Sequence, residues 1–125
     1  MLVLLGRLGN AMGDAITQAV GADLSANGPV IALFALDESG SLRPGQLQDL
    51  TGLSSGGVSK LLDRLQEMGL VTREYGVLED DRRGSVVKLT AKGRRTSRKM
   101  AAAIVSIQED LGVMLKELQG EIGGE

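Results

Sequence analysis

The chain has 125 residues, no cysteine, no histidine and only Phe34 and Tyr75 as aromatic residues. Disulfides, thiol redox switches, Cys/His zinc sites and histidine acid–base catalysis are therefore excluded. Nucleic-acid binding by base stacking lacks its aromatic platforms. We expect no enzyme, no metal site and no cofactor. The Leu-rich start is too short for a membrane span and lacks signal-peptide features, which favours a cytoplasmic protein without a membrane partner.

The net charge of −2 hides an uneven distribution along the chain. Residues 1–40 hold one basic against four acidic side chains, and residues 100–125 hold one against five. Residues 41–99 hold twelve Lys or Arg against seven Asp or Glu, a net charge of +5. A basic middle between acidic ends indicates one surface for a polyanion and another for a different contact.

Two helices are predicted in the first forty residues. Apolar side chains at helical spacing predict the first over residues 2–19. A polar break at residues 21–27 separates it from a helix over residues 28–37, which is apolar on most sides and expected to be buried. Ser25 or Asn27 is expected to cap that second helix.

A short helix, a glycine turn and an amphipathic helix are predicted next. Residues 42–43 favour a very short strand, and a helix opens at Pro44 and ends before Gly52, where a left-handed residue is easily accommodated. Ser54 is expected to cap a helix over about residues 55–68, which carries a single apolar stripe and an opposite polar face.

The remaining residues predict a β-hairpin and a long helix. The strands are expected at residues 70–75 and 85–89, joined by a charged loop at 76–84. Thr90 is expected to cap a final helix over about residues 91–119. The fold class is therefore mainly α with a small β-hairpin, in the order of a winged helix-turn-helix. Such a helix fits the DNA major groove, and the hairpin lies beside it.

Two motifs resemble the MarR family (multiple antibiotic resistance regulators). Residues 81–90 are Asp-Arg-Arg-Gly-Ser-Val-Val-Lys-Leu-Thr, followed by Gly93, and resemble that family's wing signature. Residues 53–71 resemble its recognition helix and the exit from it. The match runs in register over about residues 24–98. The resemblance implies a homodimer that binds a pseudo-palindromic operator in double-stranded DNA, close to the bacterial nucleoid.

The resemblance also implies roles for particular side chains. Asp81 is the implied brace of the wing arginines. The alternative for the helix face is a solvated surface on which Asp63 and Glu67 pair with the cations. For the two glycines, close approach to a phosphate and simple tolerance both remain open. The implied DNA-binding residues are Ser54, Ser55, Gly56, Gly57, Ser59, Lys60, Arg64, Arg82 and Arg83.

The acidic helical ends are interpreted as a dimerisation arm, residues 1–22 with 91–125, around a DNA-binding domain at residues 23–93. Both ends carry apolar stripes, which in the last helix have coiled-coil-like spacing. The alternative is that the stripes pack within one chain. Whether the C-terminal arm is one helix or two stays open. The predicted dimerisation residues are Leu5, Leu8, Met12, Ile104, Ile107, Leu111, Met114 and Leu118.

A second basic cluster, residues 94–99, begins the last helix and either contacts phosphate, braces the wing or is solvated. The favoured function is a sequence-specific DNA-binding regulator, a dimeric repressor that a small ligand relieves. A winged-helix module for protein partners is the alternative, and the positive charge of residues 41–99 favours DNA.

Overall fold

Helices dominate residues 2–75 and 84–123, which are the residues that this computed structural model describes. Residues 26–98 form one compact unit, and residues 1–25 and 99–125 form a second. Among the described residues, no helix is both long and apolar enough to cross a membrane. The elements are α1 (Leu2–Val20), a 3-10 turn (Ala22–Leu24), α2 (Asn27–Ser39), α3 (Pro44–Thr51), α4 (Ser55–Glu67), β1 (Val71–Tyr75), β2 (Ser85–Leu89) and α5 (Ala91–Gly123).

The start of α2 differs from the prediction. Its N-cap is Ala26, which makes no side-chain capping bond. The prediction that Ser25 or Asn27 caps this helix is therefore wrong. The reason is the unpredicted 3-10 turn: the Ser25 hydroxyl donates to the Ala22 carbonyl at 2.8 Å, and Asn27 is already the first helical residue.

The C-terminal segment forms one uninterrupted helix, α5, of 33 residues. This settles in favour of a single helix the question that the sequence left open. The predicted strand at residues 42–43 is reduced to an isolated bridge, in which Leu42 and Val87 exchange two backbone hydrogen bonds of 3.0 and 2.8 Å. The bridge ties the segment before α3 to the hairpin.

The core of residues 26–98 is aliphatic. α2 contacts α3, α4 and β2, which explains why it is apolar on most sides. α4 buries one stripe and exposes the opposite face, as its spacing predicts. Each fully buried Leu or Val contributes about 1.5–3 kcal/mol. The buried residues of these elements include Ala32, Leu33, Leu36, Leu47, Val58, Leu61, Leu62, Leu65, Val71 and Val87.

The hairpin pairs β1 and β2 antiparallel, from Val71 opposite Leu89 to Tyr75 opposite Ser85. Because side chains alternate between the faces of a strand, Val71 and Arg73 share the inner face with Val87. Tyr75, at the outer end of β1, is 66% exposed.

The junction between β2 and α5 is locked onto the end of α4. The Thr90 hydroxyl accepts from the Gly93 amide at 3.0 Å, as predicted for a cap, and donates to the Gly69 carbonyl at 2.6 Å. The Thr90 amide donates to the Leu70 carbonyl at 3.0 Å. A Cβ built on Gly93 would overlap the Leu70 carbonyl oxygen. Only glycine at this position allows so close an approach, which gives the Thr-x-x-Gly spacing its structural reason.

Candidate nucleic-acid interface

The N-terminus of α4 is capped by its own sequence. The Ser54 hydroxyl accepts from the Gly57 amide at 3.0 Å, as predicted. The amides of Ser55 and Gly56 precede the first intrahelical bond and have no acceptor within the helix, as at every helix start. These N–H groups and the positive end of the helix dipole suit an anion such as a phosphate.

The polar face of α4 follows directly from this N-terminus. Ser55, Ser59, Lys60 and Arg64 are all exposed, together with the capping Ser54. The opposite face is buried. The helix therefore presents hydroxyls, free N–H groups and two cations one turn apart on its solvent side.

Asp63 does not neutralise these cations. Its Oδ1 is 2.6 Å from Nη2 of Arg73 on β1. Within residues 2–75 and 84–123, neither Lys60 nor Arg64 forms an ion pair, and Glu67 forms none either. Across this part of the chain, the cations of α4 are left for a negatively charged partner.

Arg73 was not among the site residues predicted from the sequence. Its signal was its position two residues after Val71, on the inner face of the strand, where a charged side chain needs a partner. The structure supplies that partner on α4. Arg73 therefore joins the hairpin to the helix that carries the candidate interface.

The two glycines of α4 have different surroundings. A Cβ on Gly57 would lie 3.3 Å from both the Leu53 Cβ and the Ser54 Oγ, so crowding inside the chain already favours glycine there. A Cβ on Gly56 would meet nothing closer than the Ser54 Oγ at 4.0 Å. Nothing within the described fold requires glycine at position 56.

The tip of the wing, with Asp81, Arg82 and Arg83, lies outside the described residues. Its two strands do belong to them, and the hairpin is held from both sides, through the Leu42–Val87 bridge and through Arg73. The assignment of the two arginines to DNA and of Asp81 to a brace stays a prediction.

The basic cluster that opens α5 serves more than one purpose. Arg94 Nη1 is 3.4 Å from the Leu89 carbonyl, and the neighbouring Lys92 donates to the Met68 carbonyl at 2.9 Å. These two cations cap carbonyls of their own unit. Arg95 and Arg98 are exposed.

The predicted dimerisation residues differ in exposure. Leu5 is 58% exposed and Ile107 only 7%, so Ile107 already packs within the chain. A groove of about 480 Å³ separates α1 from α5 and is lined mainly by alanines, Ile107, Asp14 and Asp110. The side chain of Met114 lies outside the described part. The half-buried members of the set are Leu8, Met12, Ile104, Leu111 and Leu118.

Among the side chains of α5 that the structure describes, the most exposed apolar ones are not those of the predicted seam. They are Val105, Val113 and Leu115, which are 55%, 57% and 43% exposed. On α1 the corresponding residues are Leu2, Val3 and Leu5. Both helices of this unit thus leave apolar surface uncovered within one chain.

The chain is similar in sequence to known DNA-binding regulators. Residues 23–84 match the model of the MarR family. The uncharacterized HTH-type transcriptional regulator YcgE of Bacillus subtilis (strain 168) is 46% identical over 56 residues, which are 45% of this chain and 36% of that protein. The aligned segment therefore spans about a third of that relative.

Two solved structures are similar over nearly the whole chain. NadR in complex with 4-hydroxyphenylacetate is 22% identical with a TM-score of 0.69, over 97% of this chain and 87% of its own. A mutant MarR from E. coli, complexed with operator DNA, is 19% identical with a TM-score of 0.66, over 95% and 90%. At these identities the likeness shows a shared winged helix-turn-helix fold.

Proposed function

Because the chain belongs to the MarR family of transcriptional regulators through its residues 23–84, we propose that it binds duplex DNA and regulates transcription at a specific operator. The observation that carries the proposal is the solvent face of α4, where Lys60 and Arg64 are without acidic partners in the described residues and the helix start offers free N–H groups. Members of this family are regulators and not enzymes.

In this mode α4 enters the major groove. Its first turn, from Ser54 to Gly57, meets base edges and phosphates, and Ser59, Lys60 and Arg64 extend the contact along the groove. Arg82 and Arg83 at the wing tip reach the neighbouring minor groove, whose narrow form attracts arginine. Asp81 braces one of them.

In a homodimer, two copies of the winged helix-turn-helix would bind the two halves of a pseudo-palindromic site. Support comes from the apolar side chains that α1 and α5 leave exposed and from the groove between these helices. Large exposed apolar patches mark interaction surfaces, and a second copy of the chain is the partner that we propose for this one.

We further propose that the protein represses and that a small ligand relieves it. Support comes from the shared fold of NadR, which is solved with a phenolic acid. A reporter gene placed under the promoter upstream of the gene for this protein should be expressed more strongly when that gene is deleted. Weaker expression on deletion would instead indicate an activator.

Binding to DNA is tested by a mobility-shift titration on random-sequence duplex at two salt concentrations. We expect the affinity to fall steeply with salt, because phosphate contacts release counterions. The double variant Lys60→Ala/Arg64→Ala should bind more weakly and reduce the log–log salt slope by roughly two. Lys116→Ala, which removes one cation from exposed α5 surface, serves as control and should leave the slope unchanged. Absent or salt-independent binding contradicts the proposal and favours a protein-binding module.

A further inference from the structure

Arg73 is the one arginine within residues 2–75 and 84–123 that is mostly buried: its side chain is only 14% exposed. Nη2 donates to Asp63 Oδ1 at 2.6 Å and lies 3.4 Å from the Ser59 carbonyl. Its Nε is buried and has no partner in the described part of the chain. Burying a guanidinium with an unpaired N–H is costly, so this position carries a cation for a reason other than packing.

The hairpin register explains how the side chain reaches α4. Arg73 lies opposite Val87, on the inner face of the sheet, and Val87 is fully buried and bonded to Leu42. This anchorage fixes the strand beside α4. The guanidinium then reaches Ser59 and Asp63, which are four residues apart and thus on one side of the helix.

The charges around Asp63 suggest what Arg73 does. On α4, Lys60 lies three residues before Asp63, within reach of a side-chain ion pair. An unpaired Asp63 carboxylate, 63% exposed, would compete with phosphate for Lys60 and would repel the duplex. Arg73 instead holds this carboxylate at 2.6 Å, toward the hairpin.

We propose that Arg73 is a positioning residue that neutralises Asp63 and thereby keeps the cations of α4 available for DNA. This inference rests on the proposed function. It differs from direct contact, in which Arg73 itself touches phosphate, and from a purely mechanical role, in which Arg73 only sets the distance between β1 and α4. Of the three roles, only the neutralisation of Asp63 predicts that binding recovers when both charges are removed together.

The test is a double-mutant cycle on random-sequence duplex DNA at low salt, with wild type, Arg73→Met, Asp63→Asn and the double variant. Arg73→Met exposes an unpaired carboxylate and should weaken binding about fivefold, a charge effect that higher salt screens. In the double variant that carboxylate is gone, and the affinity should return to within about twofold of wild type. This rescue is the decisive result.

Lys88→Met is the matched control. It removes one positive charge from the same hairpin and frees the Glu74 carboxylate, 3.4 Å away, but on the face turned away from α4. We expect an affinity within about twofold of wild type, because the freed Glu74 carboxylate is on the opposite face of the hairpin from Arg73 and does not compete for the cations of α4. A loss as large as that of Arg73→Met would overturn the inference, since any hairpin charge would then act alike.

Thermal melting of each variant separates folding from binding. Arg73→Met leaves no buried charge behind and should melt at a temperature close to that of wild type. If Arg73→Met does not fold, Arg73→Gln takes its place in the cycle. If wild type binds and the double variant stays as weak as Arg73→Met, the inference fails and the proposed function stands. If wild type itself shows no salt-dependent binding, the proposed function fails and takes the inference with it.

Discussion

Gly93 packs so closely on the carbonyl group of Leu70 that a Cβ on Gly93 would overlap the Leu70 oxygen, leaving no space for a side chain. Gly93→Ala forces the start of α5 away from the Leu70 carbonyl and should lower the free energy of unfolding by ~2–3 kcal/mol, in the range of overpacked cores. Chemical denaturation measures the loss. Gly45→Ala, where a Cβ meets nothing within 4 Å, is the control and should not destabilise. Equal stabilities of the two variants would contradict the packing argument.

Thr90 joins the same junction through its hydroxyl. Thr90→Val keeps the shape but removes both the bond accepted from Gly93 and the bond donated to Gly69. We expect a loss of ~1–2 kcal/mol, typical for an N-cap. The control is Thr72→Val on the exposed face of β1, whose hydroxyl has no hydrogen bond in the described residues. A difference below ~0.5 kcal/mol between the two, the size of an ordinary surface effect, would show that water replaces the cap.

Gly56 separates stability from binding. Gly56→Ala places a methyl group in open space and should raise stability by up to ~1 kcal/mol, because glycine is a poor helix former. The same methyl group stands where a phosphate would approach, so we expect an affinity for duplex DNA about tenfold lower, roughly the loss of one charged hydrogen bond. Melting and mobility shift on one preparation give both quantities. Unchanged affinity would mean that glycine is only tolerated here.

Gly57→Ala is the natural comparison for that experiment. Its methyl group would crowd Leu53 and Ser54 at 3.3 Å, which offsets the gain in helix propensity. We therefore expect Gly57→Ala to be less stable than Gly56→Ala. The reverse order would show that the Ser54 cap adjusts freely.

Dimerisation is tested on the exposed apolar residues of α1 and α5. Leu5→Lys and Val113→Lys, at 58% and 57% exposure, should fold but sediment as monomers at micromolar concentration, because a charge at the centre of an apolar interface is strongly disfavoured. Gln108→Lys adds the same charge to exposed polar surface of α5 and should leave the dimer intact. If the wild type sediments as a monomer, the assignment of α1 and α5 to dimerisation is wrong.

The fold was largely predictable because its elements are encoded locally. The sequence predicts three helix ends correctly: Gly52 ends α3, Ser54 caps the start of α4 and Thr90 caps the start of α5. The capping of α2 was not predictable, since it depends on the 3-10 turn, in which the Ser25 hydroxyl donates to the Ala22 carbonyl instead of accepting from an amide of α2.

The candidate site was predictable only in part. Spacing along α4 identified Lys60 and Arg64, but their freedom from Asp63 depends on Arg73, ten residues further along the chain and on another element. Pairing across elements depends on hairpin register, which the buried face sets, and on the packing of β1 against α4, which the spacing of residues along α4 does not predict. For the same reason, exposure of Val105 and Val113 beside the predicted seam became visible only in three dimensions.

Tyr75 makes the intrinsic fluorescence of the protein a probe of one position. The chain has one tyrosine and no tryptophan, so all its intrinsic fluorescence above that of phenylalanine arises from the last residue of β1, where the wing begins. This ring is largely in water. Its emission therefore reports from a single known location, without a label, and a change on addition of duplex would register an event at the end of β1.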